Sequence, residues 1–289
     1  MKLISSAAAL AGRIIFWAAS FGMVRAAARR VFSMLTPSHD IKMAFPGYSL
    51  YVRTPDRLIA ALLWKYSIPS SMEVEIYRDR IKPGMTVLEI GANVGVFTLL
   101  FSGLAGEKGR VLAFEPDPSN FRLLEKSVAE NERGNIVCRQ AAVSDKSGAL
   151  KLYISEENRG DHRVYDSGDG RGCIDVEAVS VDEALGPGAR VDFIKMDIQG
   201  AEYPALLGMA DTVRNSPELV MLCEFSPGLV ERSGYSPEAL LLKLVEYGFS
   251  LNYLDEETRS VKSASPAELL KITPRGDKYL NLLLEKKAA

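Results

Sequence analysis

Cysteine, histidine and tryptophan are scarce in this chain of 289 residues, which has 3 cysteines, 2 histidines and 2 tryptophans. Cys138, Cys173 and Cys223 lie in apolar, strand-like contexts, and their spacing does not match that of metal ligands. We therefore interpret them as small core residues of a protein in a reducing compartment. No metal site is expected.

An excess of charge of one sign is also absent. Lysine and arginine number 35 against 37 acidic residues, so the formal net charge is -2 and the pI is near 5.9. Nucleic-acid-binding domains normally carry a basic patch, so no nucleic-acid partner is expected. With 47% hydrophobic and 25% charged residues, the chain resembles an average soluble protein that buries a sizeable core.

An uninterrupted apolar run long enough to span a membrane, about 20 residues, is missing as well. Residues 3–24 come closest, but Arg13 interrupts them, and a central arginine costs roughly 2.5 to 3.5 kcal/mol on insertion scales. It also splits the apolar core that a secretory signal would need. Residues 1–36 carry five basic residues and no acidic one, so we interpret them as a basic, apolar helical segment.

This segment has two interpretations. It lies on an anionic membrane surface with Phe16, Trp17 and Phe21 as anchors, or it packs on the domain or mediates dimerisation. The expected location is the cytoplasm, with peripheral contact at the inner face of a membrane in the first case. Residues 37–71 form a linking region, with a turn and strand at 45–53 and a short amphipathic helix at 57–66.

The most informative motif is a short apolar run, Val87 to Ile90, that ends in Gly91 and Gly95 and is followed by a helical pattern. A strand, a tight turn and a helix start in this order mark the place where a doubly wound sheet opens for a nucleoside ligand. The backbone at Gly91 can approach such a ligand closely.

A carboxylate follows the next predicted strand, residues 110–114, at Glu115-Pro116-Asp117. An acid about 20 residues after the glycines can accept hydrogen bonds from two ribose hydroxyls. The alternative is that these residues only cap the following helix, a role that Asp117 or Ser119 could also take.

The third glycine of a dinucleotide fingerprint is absent, and Phe97 and Thr98 occupy its region. A pyrophosphate cradle is therefore not expected, which argues against an NAD-dependent oxidoreductase. S-adenosyl-L-methionine, which has a ribose and an amino-acid tail but no phosphate, fits the two signals that are present.

Alternating strand and helix patterns continue to the end of the chain and predict a mainly parallel sheet covered on both faces. We predict helices at 119–131, 203–213 and 237–247, and strands at 136–140, 191–196, 219–224, 250–254 and 279–285. The last two strands are expected to pair as an antiparallel hairpin at the sheet edge.

Four motifs occur in the order and spacing of FkbM-type methyltransferases: EIGANVG at 89–95, AFEPD at 113–117, AAVSD at 141–145 and FIKMDIQGAE at 193–202. Over residues 72–285 the chain resembles this family. The resemblance implies a doubly wound α/β fold of the Rossmann-like class I methyltransferases, with a mostly parallel seven-stranded sheet over residues 72–289. The helical segment at residues 1–36 is expected to precede this domain as an N-terminal extension. The resemblance further implies S-adenosyl-L-methionine as cofactor and a hydroxyl oxygen as methyl acceptor.

The resemblance also concerns two acidic positions. The family has Glu where this chain has Gln199, which removes a charge and weakens the case for a base or a metal ligand there. In the family the segment before the first strand closes over the methionine end of the cofactor. Glu73 or Glu75 could therefore touch the cofactor's amino group, or both could simply face solvent.

The carboxyl ends of the parallel strands should converge at one edge of the sheet. Ala142 or Val143 would flank the adenine there, although plain packing explains an alanine pair equally well. The expected cofactor-binding residues are Glu89, Gly91, Ala92, Asn93, Gly95, Glu115, Pro116, Ala142 and Asp197.

Methyl transfer to a hydroxyl is helped by a group that takes its proton. Asp197, His162 and Glu202 are the candidates. The alternatives are a salt bridge of Asp197 to Lys195, a solvated loop position for His162, and a helix start near Glu202. Glu224 could line the acceptor pocket or only pair with a basic residue.

The resemblance therefore implies a methyltransferase that acts on a hydroxyl of a sugar, glycolipid or other small metabolite. The alternative is a catalytically silent module that binds S-adenosyl-L-methionine or a membrane partner. Gln199, which stands where the family has Glu, is the reason for considering it.

Overall fold

A computed structural model describes residues 39–45, 47–53, 71–156, 158–273, 276 and 278–286. The predicted segment 1–36 and the predicted helix at 57–66 lie outside the described residues. None of the helices that the structure describes is both long enough and apolar enough to cross a bilayer.

The described strands and helices alternate along most of the chain. The strands are β1 (Asp40–Phe45), β2 (Tyr48–Arg53), β3 (Thr86–Ile90), β4 (Arg110–Phe114), β5 (Ile136–Arg139), β6 (Ala142–Val143), β7 (Gly148–Tyr153), β8 (Cys173–Val179), β9 (Phe193–Met196), β10 (Val220–Phe225), β11 (Phe249–Asp255), β12 (Ser260–Ser263) and β13 (Leu280–Lys286). The helices are α1 (Met72–Arg80), α2 (Val96–Ala105), α3 (Pro118–Glu130), α4 (Val181–Leu185), α5 (Glu202–Leu207), α6 (Ala210–Asn215), α7 (Pro227–Arg232), α8 (Pro237–Glu246) and α9 (Pro266–Ile272).

The central sheet has the spatial order β12-β11-β13-β10-β9-β3-β4-β5. Its five strands from β10 to β5 are mutually parallel. From β3 the chain moves outward to β4 and β5, and then returns to β9 on the other side of β3. This reversal between β3 and β9 is the switch point at which doubly wound sheets bind ligands.

The predicted doubly wound fold class is confirmed, but the described sheet has eight strands instead of seven. The extra strand is β12, a four-residue, mostly exposed strand paired with β11, too short and polar to give a strand pattern. The predicted antiparallel pairing of the last two strands is present between β11 and β13. Between them the structure also has α9, whose capping box joins Ser265 and Glu268.

The predicted helix at 203–213 is two helices, α5 and α6. The break falls at Gly208, where an added Cβ would lie 2.0 Å from the Ser144 carbonyl oxygen. The chain therefore approaches the Ser144 backbone too closely for a side chain at this point.

The core lies on both faces of the central sheet. Val87 of β3 faces α1 and α2. On this face the Tyr77 ring of α1 makes edge contacts with Phe101 of α2 and with Phe193 of β9. Leu88 and Ile90 face the opposite layer, which contains residues of α5 to α9. Burial on both faces explains why β3 reads as a nearly continuous apolar run.

The three cysteines differ in burial. Cys223 of β10 is buried, Cys138 is half-buried and Cys173 of β8 is exposed. The prediction that all three are core residues is wrong for Cys173, because β8 leaves one face open to solvent.

Two smaller sheets accompany the central one. The hairpin of β1 and β2 packs on α3, where the backbone N–H of Tyr51 donates to the Ser127 hydroxyl and that of Ser49 to Asn131. Strands β6, β8 and β7 form a three-stranded sheet. Between β7 and β8, residues 158–172 reach back towards the carboxyl ends of β3 and β4, where the Arg159 carbonyl accepts hydrogen bonds from Asn93 and Asn120.

Candidate functional site

A cavity of about 260 Å³ opens at the carboxyl ends of β3, β4 and β9, at the switch point of the sheet. All the predicted cofactor residues line it except Gly95. The lining residues used below are Glu73, Glu89, Gly91, Ala92, Asn93, Phe97, Glu115, Pro116, Ala142, Arg159, His162, Lys195, Asp197 and Gln199.

Gly91 allows the close approach of two strand ends. It has a φ of +87°, and an added Cβ would lie 2.1 Å from the backbone oxygen of Asp197. Gly95 precedes α2 with a φ of +93°, and its missing Cβ leaves room for Leu124. The backbone geometry requires glycine at both positions. The turn differs from a pyrophosphate-binding loop, which has a third glycine.

Glu115 is buried at the end of β4. Its Oε2 accepts the backbone N–H of Asn93 at 2.8 Å, and its Oε1 accepts that of Asp117 at 3.0 Å. The capping role falls to Asp117, whose side chain accepts the N–H of Asn120 at the start of α3. Glu115 is thus held at the cavity wall, and burial raises its pKa to about 7.

Asn93 has a left-handed backbone conformation, with a φ of 53°. Its Nδ2 donates to the Arg159 carbonyl at 3.2 Å, and Asn120 Nδ2 donates to the same oxygen at 3.1 Å. These two bonds hold the segment between β7 and β8 against the cavity. The sequence gives no local signal for this contact.

Glu89, at the inner end of the cavity, is 1% exposed. Its Oε2 accepts the Thr98 hydroxyl at 2.5 Å, whereas its Oε1 has no hydrogen-bond partner among the described residues. Burial raises its pKa to about 7. A buried carboxylate oxygen with spare hydrogen-bonding capacity is suited to a cationic or N–H-bearing ligand group.

Asp197 follows β9 at the end of the cavity remote from Ala142. Lys195 Nζ lies 3.3 Å from its Oδ2, and Gln199 Nε2 donates to its Oδ1 at 2.8 Å. Its side chain keeps 35% exposure. Burial opposes the charge of Lys195, but Asp197, Glu89 and Glu73 outweigh this effect and raise the pKa of the ammonium.

Glu73 of α1 resolves the two alternatives for the acidic pair before β3. Its carboxylate lines the cavity and accepts a hydrogen bond from Asn281 Nδ2 at 2.5 Å. Glu75 is exposed and pairs with Arg259. Only the first of the two acids therefore faces the cavity, because α1 is a helix and turns the second away.

His162 lines the cavity at the Glu115 end. Its Nδ1 accepts the backbone N–H of Ser155 at 3.0 Å, and its Nε2 lies 3.8 Å from Asp117 Oδ2. Since Nδ1 is occupied as an acceptor, the neutral ring carries its proton on Nε2. This arrangement supports the loop and leaves no basic nitrogen directed at Asp197.

Glu202 is 2% exposed and is not among the described residues that line the cavity. Its Oε1 accepts the backbone N–H groups of Ile198 and Gly200, both at 3.2 Å. The carboxylate fixes the turn after β9 from within. We therefore give Glu202 no place among the reacting groups.

The described part of the chain has no group of three or more His, Cys, Asp or Glu side chains placed to hold a metal ion. Asp197 and Glu224 lie close together, but the side chain between them is the Gln199 amide and not a third carboxylate.

The buried acids give the protein an unusual pH dependence. Burial raises the pKa of Glu89, Glu115 and Glu202 from 4.5 to about 7. Each neutral acid contributes on the order of 1 to 3 kcal/mol to the free energy of unfolding. This contribution is complete below pH 4.5 and is lost as the pH rises through about 7. Thermal unfolding of the cofactor-free protein should therefore show a falling melting temperature across this range. A melting temperature that rises with pH there would contradict the assignment.

Comparison with known proteins gives a family match and partial relatives. A model of the methyltransferase FkbM domain matches residues 89–251. The chain is 28% identical over 150 residues to the 2-O-methyltransferase NoeI of Sinorhizobium fredii, covering 46% of this chain and 60% of NoeI. It is 35% identical over 86 residues to the 31-O-demethyl-FK506 methyltransferase FkbM of Streptomyces tacrolimicus, covering 27% and 32%. The chain thus spans less than two thirds of either relative.

Among solved structures, an S-adenosylmethionine-dependent methyltransferase from Aquifex aeolicus superposes with a TM-score of 0.44 at 17% identity. The match covers 78% of this chain and 96% of that one.

Proposed function

The chain belongs to the FkbM methyltransferase family and uses S-adenosyl-L-methionine, and on that premise we propose that it methylates a hydroxyl oxygen of a sugar, glycolipid or other small acceptor. One observation carries the choice of reacting groups. Asp197 lies at the cavity end remote from Ala142, partly exposed, with Lys195 and Gln199 each holding one of its oxygens.

The cofactor roles follow from the order of residues along the cavity. We assign the adenine to the apolar wall around Ala142 and the ribose hydroxyls to Glu115. The amino-acid tail extends past Gly91 towards Glu89, whose free oxygen would receive its ammonium group. Ala92, Asn93 and Pro116 complete the wall on the ribose side.

Bound S-adenosyl-L-methionine supplies a methyl group that is already activated on a sulfonium. The protein has to align the acceptor oxygen and receive its proton. Asp197 is the group we assign to that proton, because its carboxylate is the exposed acid at this end of the cavity. Lys195 contacts Asp197 Oδ2 and holds the carboxylate in place at the cavity. His162 serves the loop that covers the ribose end.

The names of two relatives support oxygen as the acceptor atom: NoeI is a 2-O-methyltransferase, and the Streptomyces protein acts on 31-O-demethyl-FK506. Both alignments are partial, so the acceptor itself has to be found by screening.

Asp197→Asn should lower methyl transfer by about 100-fold, since a positioned acid or base contributes on the order of 100-fold or more. Cofactor affinity should change far less, because the ribose and adenine contacts lie elsewhere. Transfer of a tritiated methyl group to a panel of sugars, polyols and glycolipid headgroups measures the first effect, and calorimetry with S-adenosylhomocysteine the second.

Asp211→Asn is the matched control, because the exposed carboxylate of Asp211 pairs with Arg214 at the surface and does not line the cavity. Full transfer by Asp197→Asn would remove Asp197 from the mechanism. Tight cofactor binding with no transfer to any acceptor would favour the non-catalytic binding module instead.

A further inference from the structure

A second, small cavity of about 30 Å³ adjoins the main one. The two share Glu73, Phe97, Lys195 and Asp197, so the small cavity continues from the Asp197 end. It has room for about one water-sized or hydroxyl-sized group. Its other lining residues are Tyr77, Met196, Leu222, Glu224 and Asn281.

Gln199 links the carboxyl groups at this end. Its Nε2 donates to Asp197 Oδ1 at 2.8 Å and to Glu224 Oε1 at 3.1 Å. Its backbone is held in a left-handed conformation with a φ of 56°, which is unfavourable for glutamine. Tyr165 Oη donates to its carbonyl at 3.0 Å. The Tyr165 contact thus holds the backbone of Gln199, whose side chain bridges the two acids.

The two carboxyl groups are in different environments. Asp197 is partly exposed and contacts the Lys195 ammonium. Glu224 is largely buried, and the titratable groups that act on it include three acids, Asp197, Glu202 and Glu73, one base, Lys195, and the phenol of Tyr279. Burial, followed by these acids, raises the pKa of Glu224 to about 9, so it carries a proton at neutral pH.

We propose that Glu224 is a second acceptor-binding carboxyl. Its acid proton is donated in a hydrogen bond to an oxygen of the acceptor that neighbours the hydroxyl whose proton Asp197 takes. Gln199 is the positioning residue that holds the two carboxyls side by side. The acceptor is then a compound with two neighbouring oxygens, such as a vicinal diol in a polyol or sugar ring. This inference rests on the proposed role of Asp197.

The proton balance is simple. The reacting hydroxyl gives its proton to Asp197 as its oxygen bonds to the methyl carbon, and the carbon–sulfur bonding pair returns to sulfur. Glu224 keeps its proton throughout and acts only as a donor. A glutamine at position 224 can supply the same donor from its amide, whereas a base at this position could not be replaced in that way.

Carbon-13 NMR of protein labelled at the glutamate carboxyl carbons, saturated with S-adenosylhomocysteine, tests the protonation state. The resonance that disappears in Glu224→Gln should titrate near pH 9, as the pKa requires. A midpoint near 4.5 would overturn the proposal. Glu218→Gln, at an exposed position, is the control and should leave that resonance unchanged. Gln199→Met should raise the midpoint, because it removes a donor to the ionised form.

The acceptor contact is tested with cis-1,2-cyclohexanediol and cyclohexanol as probes of the same complex. The diol should bind about tenfold more weakly above the Glu224 midpoint than below it, which is the value of one hydrogen bond, and cyclohexanol should show no such step. Glu224→Gln should abolish the step and keep the binding. Equal behaviour of both probes, or an unchanged step in Glu224→Gln, would overturn the proposal.

These outcomes are separable from a failure of the proposed function. Loss of S-adenosylhomocysteine binding, or full transfer by Asp197→Asn, would concern the methyltransferase assignment. The Glu224 titration and the diol step are measured without any methyl transfer.

Discussion

Glu115→Ala is expected to weaken the binding of S-adenosylhomocysteine by roughly 100-fold to 10,000-fold, because each hydrogen bond to a charged group contributes about 1.5 to 3 kcal/mol and we assign two ribose hydroxyls to the carboxylate at the end of β4. The variant also removes the acceptor for the N–H groups of Asn93 and Asp117, which shape the cavity wall. Calorimetric titration measures the change directly.

The pH dependence of the same affinity follows from the pKa of about 7 that burial gives Glu115 in the cofactor-free protein. Two hydroxyl donors favour the ionised form and lower that pKa in the complex. Binding should therefore release a proton below about pH 7, and affinity should fall as the pH decreases from there. Glu89 adds in the same direction if it receives the ammonium group.

Two variants separate the ribose contact from general damage. Glu125→Ala removes an exposed acid from α3 and should bind normally. Glu115→Gln keeps the shape of the side chain but not its charge, and should show intermediate affinity and less proton release. Wild-type affinity in Glu115→Ala would mean that the ribose lies elsewhere in the cavity.

The parts of the site that could be predicted from the sequence are those fixed by the parallel sheet itself. Gly91, Glu115 and Asp197 each follow a buried strand, and the carboxyl ends of such strands meet at one edge. The order of three neighbouring strands was therefore enough to bring these residues to one cavity.

The parts that could not be predicted depend on contacts between distant segments. Arg159 belongs to a loop whose position is fixed by Asn93 and Asn120, and neither asparagine differs in type from an ordinary turn residue. Glu73 faces the cavity only because α1 is helical. Gln199 has a left-handed backbone conformation without being a glycine, so the sequence contains no signal for it. Its bridge between Asp197 and Glu224 is visible only in the structure.

The local sequence pattern also cannot identify which candidate residue accepts the proton of the acceptor. Asp197, His162 and Glu202 are equally plausible bases by residue type. The structure distinguishes them by their hydrogen bonds, because Glu202 accepts two backbone N–H groups and His162 accepts one at Nδ1. Asp197 keeps a partly exposed carboxylate between a lysine and an amide, and for this reason we assign the proton to it.

Gly91→Ala should cost about 2 to 5 kcal/mol of folding free energy and push the ends of β3 and β9 apart at the cavity. A left-handed backbone costs an ordinary residue about 1 to 2 kcal/mol. Here the new Cβ would also lie 2.1 Å from the Asp197 carbonyl oxygen, and backbone atoms cannot move aside as a flexible side chain can, so an overpacking cost of about 1 to 3 kcal/mol is added.

Gly84→Ala isolates the conformational contribution. Gly84 has a φ of +92°, almost the same as Gly91, but an added Cβ there would meet nothing within 4 Å. This variant should therefore lose only the conformational part, about 1 to 2 kcal/mol, and bind S-adenosylhomocysteine normally. Denaturant unfolding of the two variants measures the difference. Equal losses would mean that β3 and β9 separate easily, and that the contact between Gly91 and Asp197 does not set the width of the cavity.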